Sequence, residues 1–194
     1  DWAAMVEYAG AVSGDGPVFR FESAVEAVVN GDARELRTLL AADSTLVHAR
    51  SSRVTHFDPP VHRAHAGSGS GCECTTLSLL VSSSHPAEAG LQIPLTKVLL
   101  DHGAKVQAHG SGRWVSPVLS ALLFGFRATA EYLVERGAPV DSIEAAAGLG
   151  WLGETNRLLA LSDAASRHKA LALAAQLGHL DVARLLLDAG EDPN

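Results

Sequence analysis

The segment Thr55 to Thr76 holds three of the chain's nine histidines, His56, His62 and His65, and both cysteines, Cys72 and Cys74. Zinc takes four His or Cys ligands in a tetrahedron, so His-x5-His-x2-His-x6-Cys-x-Cys is a candidate metal pattern. The signal is weak, because structural zinc sites favour two to four residues between paired cysteines. The plainer reading has solvated loop histidines, with Cys74 packing at the start of the next helix. A metal-binding or metal-regulated protein using these five residues stands as the alternative.

Other reactive types form no machinery. Ser82-Ser83-Ser84-His85 puts hydroxyls beside an imidazole. Adjacent residues do not build a triad, and no oriented carboxylate follows. Three serines ending a helix before Pro86 is the better reading. The glycine-rich "GSGSG" (67–71) and "GSGRW" (110–114) lack the Gly-x4-Gly-Lys-Ser/Thr pattern of a phosphate loop. No catalytic residue and no cofactor is expected, and the chain reads as a non-enzyme.

The elements that would position any site come next. The chain has 194 residues, 47% hydrophobic and 19% charged, enough for a real core. Net charge −7 and a pI of about 5.7, with no basic stripe, argue against a nucleic-acid partner. The first residues, "DWAAMVEYAGAVSGDG", lack the basic start of a signal peptide. No apolar run approaches the roughly 18–20 residues needed to cross a bilayer. Two cysteines as Cys-x-Cys suit a reducing cytoplasm.

A repeat runs through the chain. In "HKALALAAQLGHLDVARLLLDAGEDPN" a short Ala/Leu helix breaks at Gly178, and Val182, Leu185, Leu186 and Leu187 mark a second helix ending at Ala189-Gly190. Counting eight from the breaking glycine reaches Leu186; the same count reaches Leu133 from Gly125, Leu158 from Gly150 and Leu39 from Gly31. A fifth copy ends in Leu99, Leu100, Gly103 and Ala104. Such pairs cannot bury their own apolar faces, so stacking must supply one continuous core.

On these residues the chain resembles the ankyrin-repeat family, whose unit is about 33 residues with a T-P-L-H-x-A signature. Ser116-Pro117-Val118 and Thr75-Thr76-Leu77 stand where T-P-L belongs, and Gly103-Ala104 and Gly137-Ala138 match the close. The likeness covers roughly Phe19 to Asn194. It departs in three places: no copy has the full signature, "ALSDAAS" replaces the close after Gly150, and an insertion surrounds "HPAEAGL". These give the look of a divergent, bacterial member. The resemblance implies an all-α solenoid of stacked helix–turn–helix repeats with short or missing hairpins. Its parts are a capping helix and linker (1–18), on Trp2, Met5, Val6 and Ala9, a first repeat (19–50) anchored by Phe19 and Phe21, an irregular loop or degraded repeat (51–74), and four further repeats (75–194). Pro59-Pro60 and the linker-like "GSGSG" mark the irregular part.

The family implies a scaffold that binds another protein through its concave face. There the candidates are His109, Arg113 and Trp114 on a hairpin, Leu123 and Phe124 late in a first helix, and Leu149 and Gln176 at corresponding places. Trp151 is expected in the core. The last repeat has no polar outer face, so either the chain is truncated or that face is covered, possible self-association included.

Overall fold

The computed structural model describes the backbone of residues 17–49, 75–106 and 116–193, and side chains from Ser23 onward within these ranges. Eleven α-helices and one 3-10 turn lie among the described residues, with no β-strand. They are α1 (Pro17–Val29), α2 (Ala33–Ala42), the 3-10 turn Ser44–Val47, α3 (Thr76–Val81), α4 (Ser84–Glu88) and α5 (Gln92–Asp101). Then come α6 (Pro117–Leu123), α7 (Arg127–Glu135), α8 (Ile143–Gly148), α9 (Leu152–Leu159), α10 (Ala164–Gln176) and α11 (Leu180–Asp188). Five pairs result: α1/α2, α3–α4/α5, α6/α7, α8/α9 and α10/α11. The expected all-α stack of helix pairs is the observed fold. The first pair begins at Pro17, two residues before Phe19; proline suits a first helical position because its missing N–H would be unbonded there anyway.

One device turns each pair. Gly31, Gly90, Gly125, Gly150 and Gly178 all sit at φ between 70° and 80°, the left-handed region that penalises a Cβ. The glycine amide donates to the carbonyl three residues back, and the next amide to the carbonyl five back, as in Phe126 to Ala121 at 2.8 Å and His179 to Ala174 at 2.8 Å. This double bond satisfies carbonyls that a helix end otherwise orphans.

First helices start on polar caps. Thr75, Ser116, Ser142 and Asp163 each accept a backbone N–H three residues on, at 3.2, 3.3, 3.2 and 2.7 Å. The residues standing for the threonine of T-P-L are thus helix caps. In the second pair, the inserted "HPAEAGL" largely folds as α4 and supplies its own turn glycine, Gly90. The serines before it are engaged by the backbone: Ser82 Oγ donates to the Ser78 and Leu79 carbonyls, and Ser83 Oγ to Leu79 at 2.6 Å.

Leucines hold the stack. Leu36, Leu40, Leu80, Leu95, Leu99, Leu122, Leu133 and Leu186 are fully buried, each stabilising by roughly 1.5–3 kcal/mol over exposure. The helix α8 is buried on two faces. Ala145 and Leu149 join the cluster formed with the earlier pairs, while Ile143, Ala146 and Ala147 join the cluster formed with α10 and α11. Only small residues allow that: a Cβ on Gly148 would stand 3.0 Å from Leu122 Cδ1. A polar clasp crosses the second and third pairs. The buried Gln92 amide donates to the Leu80 and Ser83 carbonyls at 2.9 and 3.3 Å, and its oxygen accepts from Thr129 Oγ1 at 2.6 Å.

Candidate functional site

Several candidates lie outside the described residues: His109, Arg113 and Trp114 of the hairpin, and His56, His62, His65, Cys72 and Cys74 of the metal pattern. Among the described residues, no group of three His, Cys, Asp or Glu could hold a metal ion. None of the described helices is long and apolar enough to cross a membrane.

The remaining four candidates sit at the ends of first helices, where the register decides which reach the surface. Two residues before the turn glycine stand Leu123 in the third pair and Gln176 in the fifth, both exposed. The same place in the fourth pair is Gly148, buried against Leu122. One residue before the glycine stand Phe124, half-buried, and Leu149, only 3% exposed. Leu149 therefore does not belong to a partner face. Its side chain packs into the first core cluster, because α8 is covered on both sides.

Phe124 is held in place. Its ring stacks on Phe126 across Gly125, with centroids 6.2 Å apart and 15° between planes. Phe126 in turn packs on the first core cluster. The aromatic pair thus presents a rigid apolar surface at the turn of the third pair.

The turns of the next two pairs continue it. Trp151, expected in the core, is 43% exposed, and Leu152 and Leu180 are exposed as well. The residue after the turn glycine differs from pair to pair: Phe126 packs on the first core cluster, Trp151 is exposed, and Leu91 and His179 reach the turn of the preceding pair. His179 lies over Gly150 with Nε2 3.0 Å from the Gly148 carbonyl, and Leu91 Cδ1 lies where a Cβ on Gly31 would fall. His179 is thus a structural contact between pairs. Trp151 has no such seat, and its exposure was readable only by comparing copies at the same register.

Charge is neutralised locally on the second helices. Lys97 beside Asp101, with Arg136 of the next pair, holds the Asp101 carboxyl below its ordinary range. Arg157 does the same for Glu154 through bonds of 2.9 and 2.6 Å, and Arg127 pairs with Glu131. Exposed pairs of this kind contribute little to stability. The turns of the last three pairs also expose Leu123, Trp151, Leu152 and Leu180, with Phe124 half-buried beside them. An exposed tryptophan such as Trp151 is a residue type enriched among the anchors that protein partners bury.

Residues 168–194 match the family model of the ankyrin repeat. No curated protein matches the chain. The matched segment is α10/α11, which is thus similar to an ankyrin repeat, and the same glycine turn and stacked-pair packing recur in the four pairs before it.

Proposed function

We propose that the chain is a non-enzymatic scaffold of the cytoplasm that captures another protein. The partner would seat on Leu123, Phe124 and Gln176 at the ends of first helices and on Trp151, Leu152 and Leu180 along the adjoining turns. His109, Arg113 and Trp114 join this surface on sequence grounds. The observation that supports the reading is that exposed apolar side chains flank the turn glycine in three consecutive pairs: Leu123 before Gly125, Trp151 and Leu152 after Gly150, and Leu180 after Gly178. Single exposed leucines are ordinary on a soluble protein; their recurrence beside an exposed tryptophan at successive turns is what a partner surface would need.

The test is site-specific photo-crosslinking in lysate of the source cells, with a benzophenone residue at position 123, 152 or 180. Controls carry it at Glu131 or Arg184, exposed on second helices. One common adduct from the three turn-edge positions, absent from the controls, is the expected result. Phe124→Ser with Trp151→Ser should then weaken capture by at least about tenfold without changing helix content. Adducts that arise equally from the controls, or capture that survives the double substitution, would overturn the reading.

A further inference from the structure

The fourth pair buries a carboxylate without a partner. Glu144, in the first turn of α8, is only 8% exposed. Among the described residues no donor reaches it. The ion pairs formed there use other carboxylates: Lys97 with Asp101, Arg127 with Glu131, Arg157 with Glu154 and Arg167 with Glu191. The hydroxyls of Thr76, Thr96 and Ser120 are unpaired and sealed from the outside; the Glu144 oxygens are not sealed. Register explains the position. Six before the turn glycine stand Leu119 in the third pair, half-buried, and Ala172 in the fifth, exposed. Two before it, on the same helix face, stand the exposed Leu123 and Gln176, and between them the buried Gly148. Enclosed by α6 and α10, α8 is recessed, and Glu144 lies in a crease with Leu119 and Leu123 at the matching places on one side and Ala172 and Gln176 on the other.

Taking a carboxylate from water is costly unless a cation or several donors replace the lost hydration. We propose that Glu144 receives an arginine or lysine side chain of the bound protein; that the cation belongs to a protein rests on the scaffold reading above. Three observations favour a long basic side chain. The carboxylate is its charge complement, on a chain of net charge −7. The crease is flanked by Leu119, Leu123 and Ala172, which suit the aliphatic stem of such a residue while its charged head reaches the carboxylate. A metal ion fits less well, because among the described residues no three His, Cys, Asp or Glu groups come together to hold one. Leu123 and Gln176 already belong to the proposed partner surface, so the basic side chain would enter from the face on which the partner lies.

The experiment follows amide NMR spectra of the 194-residue chain while Nα-acetyl-arginine amide or Nα-acetyl-lysine amide is added. Nα-acetyl-citrulline amide, close in shape to the arginine probe but uncharged, is the control. The expected result is a saturable shift centred on Glu144 and Gly148 with a cation and none with citrulline. Glu144→Gln should weaken it at least about tenfold, whereas Glu131→Gln, on an exposed second-helix face, should leave it unchanged. Urea unfolding separates this from pairing within the chain. Glu144→Gln should leave the midpoint unchanged or raise it, since no internal ion pair is lost. No shift with either cation, an equal shift with citrulline, a shift that survives Glu144→Gln, or a midpoint lowered by about 0.5 M or more would overturn the inference. The titration needs no partner protein, so its failure leaves the scaffold to be judged by cross-linking. Failed cross-linking beside a saturable titration overturns the scaffold, and with it the source of the cation, but upholds the Glu144 site.

Discussion

Gly150→Ala tests whether the pairs are locked together at their turns. Two costs act at this position. At φ +75° a Cβ is strained, by roughly 1–2 kcal/mol. That Cβ would also stand 2.5 Å from His179 Nδ1 and 2.7 Å from Cε1, closer than real contacts allow. The imidazole sits on a ring bonded to the Gly148 carbonyl, so moving it breaks that bond, worth about 0.5–1.5 kcal/mol. Gly125→Ala is the internal control: φ is +80°, and nothing lies within 4 Å of the added atom. Both variants carry the strain; only Gly150→Ala carries the clash. Urea unfolding followed by far-UV circular dichroism should show Gly150→Ala less stable than Gly125→Ala by about 1 kcal/mol. In the His179→Ala background that difference should vanish, since the ring that collides is gone. Equal losses for the two alanines in the wild-type background would refute the lock. At Gly31 the obstructing atom is Leu91 Cδ1, the free end of a flexible chain, so Gly31→Ala should behave like the control.

Removing the clasp between the second and third pairs should be costly. Gln92→Leu leaves the Thr129 hydroxyl and the Leu80 and Ser83 carbonyls without this partner in a buried place, and should cost about 2–3 kcal/mol in urea unfolding. A loss below about 0.5 kcal/mol would mean that water replaces the amide. Acid should loosen the surface pairs. The carboxyls of Asp101, Glu154 and Asp163 are held below their ordinary values, by Lys97, by Arg157 and by the Ser166 backbone N–H respectively. A depressed folded-state value means that the contribution is complete above the ordinary carboxylate range and is lost as pH falls through the folded values. Thermal melts of Asp163→Asn should therefore show a smaller drop between pH 5 and pH 2 than wild type; an unchanged drop would remove Asp163 from the cause.

How far the sequence reaches is clearest at the turns. The glycines announce themselves because the left-handed conformation penalises every other residue, and the caps because a hydroxyl or carboxylate precedes each Ala/Leu run. Counting eight from those glycines recovers the buried Leu133, Leu158 and Leu186, whereas in the first pair it reaches the half-buried Leu39, one residue short of the buried Leu40. The surface is harder. Leu149 and Phe124 share a register position, yet one is buried and the other stacks outward. The difference lies in neighbours: α8 is enclosed by α6 and α10 because its residues are small enough to be approached from both sides. Trp151 misleads for the complementary reason. A tryptophan suggests core by its area, but the residue after the turn glycine reaches a neighbour only where that neighbour's turn is in range, as Gly150 is for His179.

The fourth pair shows how a missing signature is replaced. Its second helix lacks the glycine that closes α5, α7 and α11, and Ser162, four after Leu158, stands in that place. The glycine elsewhere lets the following amide reach back to the leucine carbonyl, as Ala138 does to Leu133 at 3.0 Å. Here Ser162 Oγ donates to the corresponding Leu158 carbonyl at 2.9 Å, so a side chain takes over the bond that the backbone cannot make. The loop is then tied forward. Arg167 donates from its terminal nitrogen to the Ser162 carbonyl at 2.7 Å and from Nε to Glu191 at 2.6 Å, while Asp163 caps α10. That arrangement joins the close of the fourth pair to the close of the fifth, and Glu191 is largely buried within it. An arginine with two such bonds and a covered partner is worth more than the exposed pairs on the second helices. Arg167→Ala should accordingly loosen the last two pairs together. In hydrogen exchange, α9 and α11 should lose protection in parallel while α7 keeps its own; loss confined to α11 would show that the loop, and not the arginine, closes the fourth pair.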